Sequence, residues 1–138
     1  MSLSNIREKI ATGLDQIIGL TVAETIPDII TLPMAVIYLD NNAVDYDYTA
    51  GNSSWTYHFI IEVLVNKGAS VTVAQKELDE YIDPESEKSI KTLIDTIDLT
   101  PDADVHQLKG IVTYGQADFG QTKYLSARFN IDITVEKQ

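Results

Sequence analysis

Asp45, Asp47 and Thr49 alternate along VDYDYT in the manner of the first ligands of a calcium loop. Such a loop needs glycine at its sixth position, for the sharp turn, and a bidentate glutamate at its twelfth. Those positions hold Ala50 and Thr56, so the acids read as an exposed acidic loop. His58 and His106 are the only histidines, and there is no cysteine. Neither histidine stands in a His-x-x-His or Glu-x-x-His setting. A zinc site takes at least three protein ligands, so it would have to recruit carboxylates from elsewhere in the chain. His58 falls on the mixed face of a strand pattern, where a partly buried, hydrogen-bonded histidine is the plainer reading. The chain has no Gly-x-Ser-x-Gly elbow, Walker loop or Gly-x-Gly-x-x-Gly run. Gly115 and Gly120 read as turn residues. Glu77, Asp79, Glu80 and Asp83 crowd on or after one short helix, and helical spacing makes them a solvated acidic face before an acid–base pair. No catalytic residue, cofactor or metal is assigned. Tyr46, Tyr48, Trp55 and Tyr57 form an aromatic-rich stretch beside the acidic loop, the composition of an interface anchor.

The elements that must carry these residues follow from periodicity. Residues 4–18 predict an amphipathic helix with Ser4 as N-cap and Ile6, Ile10, Leu14, Ile17 and Ile18 inward. Gly19 falls where a left-handed C-terminal cap belongs. Leu20 to Ala23 and Met34 to Leu39 predict short strands, with Pro27 and Pro33 marking an irregular connection between them. Asp40 to Ser54 is rich in Asn, Asp, Gly and Ser and predicts a loop or an extended hairpin tip. Trp55 to Val65 predicts a strand. Its odd positions are apolar throughout, and its even positions run from Thr56 and His58 into Ile60, Glu62 and Leu64. One face is therefore in the core, and the other enters a covered region partway along.

After Gly68, Thr72 and Gln75 suggest a capping box for a helix running to Ile82. Asp83-Pro84 stops it. A second helix is expected from Pro84 to Ser86 onward, carrying Ile90, Leu93, Ile94 and Ile97. Leu108 to Tyr114 predicts a strand, Gly115 to Gln121 a loop, and Lys123 to Glu136 the cleanest strand of the chain. On that strand Ser126, Arg128, Asn130, Asp132, Thr134 and Glu136 face away from the core. The expected fold is α+β in the order α-β-β-β-α-α-β-β: one antiparallel or mixed sheet, helices on one face, the other face left for solvent or another subunit.

The length of 138 residues suits one domain, residues 1–138. Twenty-one Asp and Glu against ten Lys and Arg leave a net charge of −11. That disfavours gripping nucleic-acid phosphate or anionic lipid, both of which need clustered cations. It favours solubility, and it would also suit a wall past which a polyanion must slide. The absence of cysteine fits a reducing cytoplasm. No apolar run approaches the ~20 residues of a membrane span, and none has the form of a secretory leader.

The N-terminal SNIREKIATGL, the segment VDYDYTAG, the strand TYHFIIEVLV, the runs AQKELDEYIDP and SIKTLI, and the closing FGQTKYLSARFNIDITV occur in an order that resembles the tail terminator family of long-tailed bacteriophages, also called neck or tail-completion proteins. The resemblance covers most of the chain. Val73 stands where a basic residue is expected before AQ, which bears on a surface contact. The resemblance implies a structural protein and not an enzyme: a homo-oligomeric ring, hexameric in the family, on the head-proximal end of a non-contractile tail tube. Such a ring ends tube growth and forms the joint to the head. Its partners would be other copies of the chain, the major tail tube protein and a head-completion or stopper protein, with DNA only in passage and no membrane. Its place would be the virion neck, after assembly in the host cytoplasm. Asp45, Tyr46, Asp47, Tyr48, Trp55, Arg128 and Asp132 are then candidate contacts to a neighbour or the tube. Asp40, Asp79, Glu80 and Asp83, with Asp45 and Asp47, are candidate lumen acids. Another head–tail joining protein, or a small ligand-binding α+β domain with a pocket around His58, His106 or the Asp45–Asp47 loop, are the alternatives.

Overall fold

A computed structural model describes residues 2–25, 29–47, 53–66, 71–119 and 122–137. The elements are α1 (Ser2–Leu14), β1 (Thr21–Ala23), β2 (Met34–Asp47), β3 (Ser53–Asn66), α2 (Val71–Ile82), α3 (Ile90–Thr96), β4 (Val105–Phe119) and β5 (Thr122–Lys137). This is the expected α+β order. The strands form one mixed sheet in the order β1-β2-β3-β5-β4. β1 lies parallel to β2, and every other neighbouring pair is antiparallel.

The helices share one face of the sheet. Ile6, Ile10 and Leu14 of α1, Ala74, Leu78 and Tyr81 of α2, and Ile90 and Ile94 of α3 bury against Ile37, the odd positions of β3 from Phe59, and the odd positions of β5. Strict alternation along β5 is why: Leu125, Ala127, Phe129, Ile131, Ile133 and Val135 all reach this core. A smaller cluster lies on the other face at one end, where Ile30 and Leu32 lap over Met34, Val36, Leu64 and Tyr124. The covered half of the even positions of β3 is thereby accounted for: Ile60, Glu62 and Leu64 are buried, Thr56 and His58 only partly.

Several boundaries move. α1 ends at Leu14, and a chain of turns follows; Gly19 takes φ +83 as the third residue of a turn closed by Leu20 N to Ile17 O at 3.3 Å, five residues past the helix, so it does not cap α1 as expected. Ile18, expected inside, is therefore 88% exposed. Ser4 lies within α1 and Thr72 within α2, so neither caps its helix. α3 begins at Ile90 rather than near Pro84, because Ser89 is its N-cap and accepts from Thr92 N at 3.1 Å. The residues before it are held as turns by Asp83, whose side chain accepts from Glu85 N at 3.0 Å.

The polar segment 40–54 is a strand over most of its described length. β2 continues to Asp47, with Asp40 to Ala43 bulging out against His58 alone. Gly115 to Phe119 likewise extends β4. Residues 48–52 lie outside the described residues, as do Pro27, Gly68, Gly120 and Gln121. The long strands have 14 to 16 residues, against a usual five or six, and so outrun the helices that cover them.

α1 and α3 meet closely at Gly13, where an added Cβ would stand 2.9 Å from Ile97 Cγ2. A helical Gly→Ala change ordinarily gains up to about 1 kcal/mol. Gly13→Ala is expected instead to cost about 1–2 kcal/mol through the forced separation of the helices, read as a lower denaturant midpoint at unchanged slope.

Candidate assembly face

The sheet face without helices carries a band of paired polar groups across β2, β3, β5 and β4. In-register antiparallel pairing sets His58 opposite Asp132, Thr56 opposite Thr134 and Glu62 opposite Arg128. Asp45 reaches the same place from β2, where it pairs with Thr56, two residues from His58. His58 Nδ1 lies 2.8 Å from Asp132 Oδ1, and its Nε2 lies 2.7 Å from Asp45 Oδ2. A neutral ring could donate to only one of these carboxylates; the imidazolium donates to both. Burial by itself lowers the His58 pKa, but the hydrogen bonds and charges of Asp132 and Asp45 outweigh it and raise it above its ordinary value. Lys109 of β4 completes the row, 3.6 Å from the other oxygen of Asp132.

The sign of the linkage is definite. A raised folded-state pKa means stability that is full below the unfolded value of about 6.5 and is lost as pH rises through the folded value. The gap in melting temperature between the native protein and His58→Gln is therefore expected to be widest below about pH 6.5 and to shrink as pH rises through the raised folded-state value. A gap independent of pH would show that the charged ring does not hold the strands.

A second pairing sits deeper. Glu62 is 2% exposed and accepts from the Tyr38 hydroxyl at 2.8 Å. Arg128 Nε stands 3.3 Å from Glu62 Oε2, close enough for a charge contact. It is off the line of a hydrogen bond, and Oε2 has no hydrogen-bond partner among the described residues. Burial, and then the hydrogen bond to Glu62, raise the Tyr38 pKa, so the hydroxyl stays a donor. Beside this cluster Tyr38, Asp40, Ile60, Val112, Thr113 and Arg128 line a trough of about 610 Å³ running over four strands.

The expected contact residues divide accordingly. Asp45, Arg128 and Asp132 come together on this face. Tyr46 pairs with Trp55 on the opposite face, beyond the helices. Tyr46 is 64% exposed. Trp55 packs at the core margin, with its Nε1 buried and without a hydrogen-bond partner among the described residues. Asp47 ends β2, and Tyr48 lies outside the described residues. Among the candidate lumen acids, Asp40 lines the trough. Asp79, Glu80 and Asp83 belong to the helix side, where Asp79 accepts from the Tyr114 hydroxyl at 3.0 Å and Glu80 pairs with Lys88 at 3.3 Å. The two groups of acids therefore lie on opposite sides of the sheet. Glu62, Tyr38 and Lys109 were not singled out from sequence. A lone acid among the buried even positions of β3, matched to the lone Arg of β5, is the signal that could have found the first.

His106 is committed elsewhere, its Nε2 donating to Ile94 O at 2.8 Å. Among the described residues no group of three or more His, Cys, Asp or Glu is arranged to hold a metal ion. A hollow of about 700 Å³ between α1 and the chain after α3 is separate from the polar band. Its Lys9 is engaged by Asp102 at 2.8 Å and Thr100 O at 2.9 Å. No described helix is long and apolar enough to cross a membrane. Searched against protein-family models and against curated proteins, the chain finds no match in either.

Proposed function

We propose that this chain is a ring-forming structural subunit of the tail-terminator type, capping the head-proximal end of a long non-contractile phage tail tube. The ring would end tube polymerisation and present the joint to a head-completion or stopper protein. The observation that carries the reading is the sheet face free of helices over four long strands. Its middle is close to charge balance, with His58, Lys109 and Arg128 among Asp40, Asp45, Glu62 and Asp132. In a chain of net charge −11, such a face can approach a neighbour with little of the repulsion felt elsewhere. The ordered resemblance to the terminator family supplies the identity of the partners.

Purified protein mixed with tail tubes is the test. Negative-stain images are expected to show a ring at one end of each tube and no further growth from that end. No affinity for tubes would overturn the reading, and attachment at the portal side only would move the chain to the stopper class. The lumen reading is sharpened by the fold. A wall made from one side of the sheet takes either Asp40 and Asp45 or the α2 acids, and not both. An assembled ring with both groups on its outer surface would remove it.

A further inference from the structure

The sheet is open on both sides. β4 pairs with β5 alone, and its outer edge meets no described strand. On the far side, β1 covers only Met34, Ala35 and Val36 of β2, so the outer edge of β2 meets no described strand from Ile37 to Asp47. Edges of this length with no neighbouring described strand invite strand addition.

Three observations make the two edges fit each other. The first is direction. β2, β3, β5 and β4 alternate up, down, up, down, so a second copy added side by side sets its β2 antiparallel to the first copy's β4. Antiparallel pairing needs no special geometry and continues the alternation indefinitely. The second is charge. In this acidic chain the run 105–117 of β4 has no Asp or Glu and holds Lys109, whereas the open run of β2 holds Asp40, Asp45 and Asp47 and no cation. The edge of β4 also exposes Val105, Ile111 and Val112. The third is level. Leu108 stands across the sheet from Ile131, Phe59 and Leu39 in turn, and Gln107 from Asp132 and His58, so Lys109 is within two residues of the level where Asp40 begins the bulge of β2. Bulges on both edges bar pairing with an arbitrary flat strand.

We infer that the outer edge of β4 pairs antiparallel with the open edge of β2 in a second copy of this chain, head to tail. The contact joins two different edges, so it repeats around a ring until rotation closes it. The inference rests on the reading of the chain as a ring subunit, and supplies its joint.

Thiol trapping tests it, since the chain has no cysteine of its own. Lys109→Cys and Asp40→Cys proteins are mixed, with and without tail tubes, at low and raised salt, and treated with a short thiol-reactive bridge. The expected result is linked dimer in the mixture, none in either protein alone, and more of it as salt screens the net charge. Val112→Asp, at an exposed position, is expected to weaken association at least tenfold. A link in Lys109→Cys alone would mean that β4 pairs with its own kind and would overturn the inference. Rings on tubes without the mixed link would overturn the joint and keep the tail reading. A mixed link without affinity for tubes would do the reverse, and a chain monomeric under every condition would overturn both.

Discussion

Phe59→Ala is expected to cost about 4 kcal/mol, a large share of the roughly 5–15 kcal/mol that holds a domain together. Phe59 is fully buried at the centre of the helix-covered face. Tyr57 stands edge-on to it, ring centroids 6.2 Å apart. The Arg7 guanidinium of α1 lies over its ring at 5.9 Å. Truncation therefore removes a large apolar side chain, opens a cavity beneath α1 and leaves a cation without its aromatic partner. The melting temperature should fall by about 15 °C. A drop of only a few degrees would mean that α1 settles into the space, and that the helix layer is far more plastic than its packing indicates.

Arg128→Ala should cost about 2–3 kcal/mol, although Arg128 itself is half exposed. The penalty falls on its partner. Glu62 is buried with one oxygen already lacking a hydrogen bond, and removing the guanidinium leaves the carboxylate with the Tyr38 hydroxyl alone. Adding Glu62→Gln removes the buried charge while keeping an acceptor for Tyr38. The double variant is therefore expected to recover most of the loss, a coupling of about 1–2 kcal/mol in a double-mutant cycle. Losses that simply add would show that Arg128 stabilises through the packing of its stem.

What could be read from sequence depended on how local its cause was. The helix-facing side of β5 was legible because alternation is a property of neighbouring residues. So was the left-handed backbone of Gly19, although it serves a turn five residues past the helix and not the cap expected of it. The reach of β2 was not. DNNAVDYD has the composition of a turn, yet Asp45 within it is matched by a cross-strand partner, His58, that local composition does not reveal. The start of α3 was misplaced because a proline at a helix start and a proline in a turn look alike until Ser89 is seen accepting from Thr92. On the helix-free face Arg128 and Asp132 could be chosen, since both stand on the outward side of an alternating strand. Their partners could not: His58 and Glu62 are some seventy positions away, and only the register of β3 against β5 brings them in.

That register has a temporal side. β5 is the last element in chain order, yet it lies in the interior of the sheet, between β3 and β4. While the chain is being made, β3 carries the apolar run FIIEVLV with one edge vacant until residues 122–137 have emerged. Contacts of such long sequence separation close slowly, and a vacant apolar edge is a hazard in a crowded cell. Each new molecule must therefore keep β3 from pairing with a stranger until its own β5 arrives.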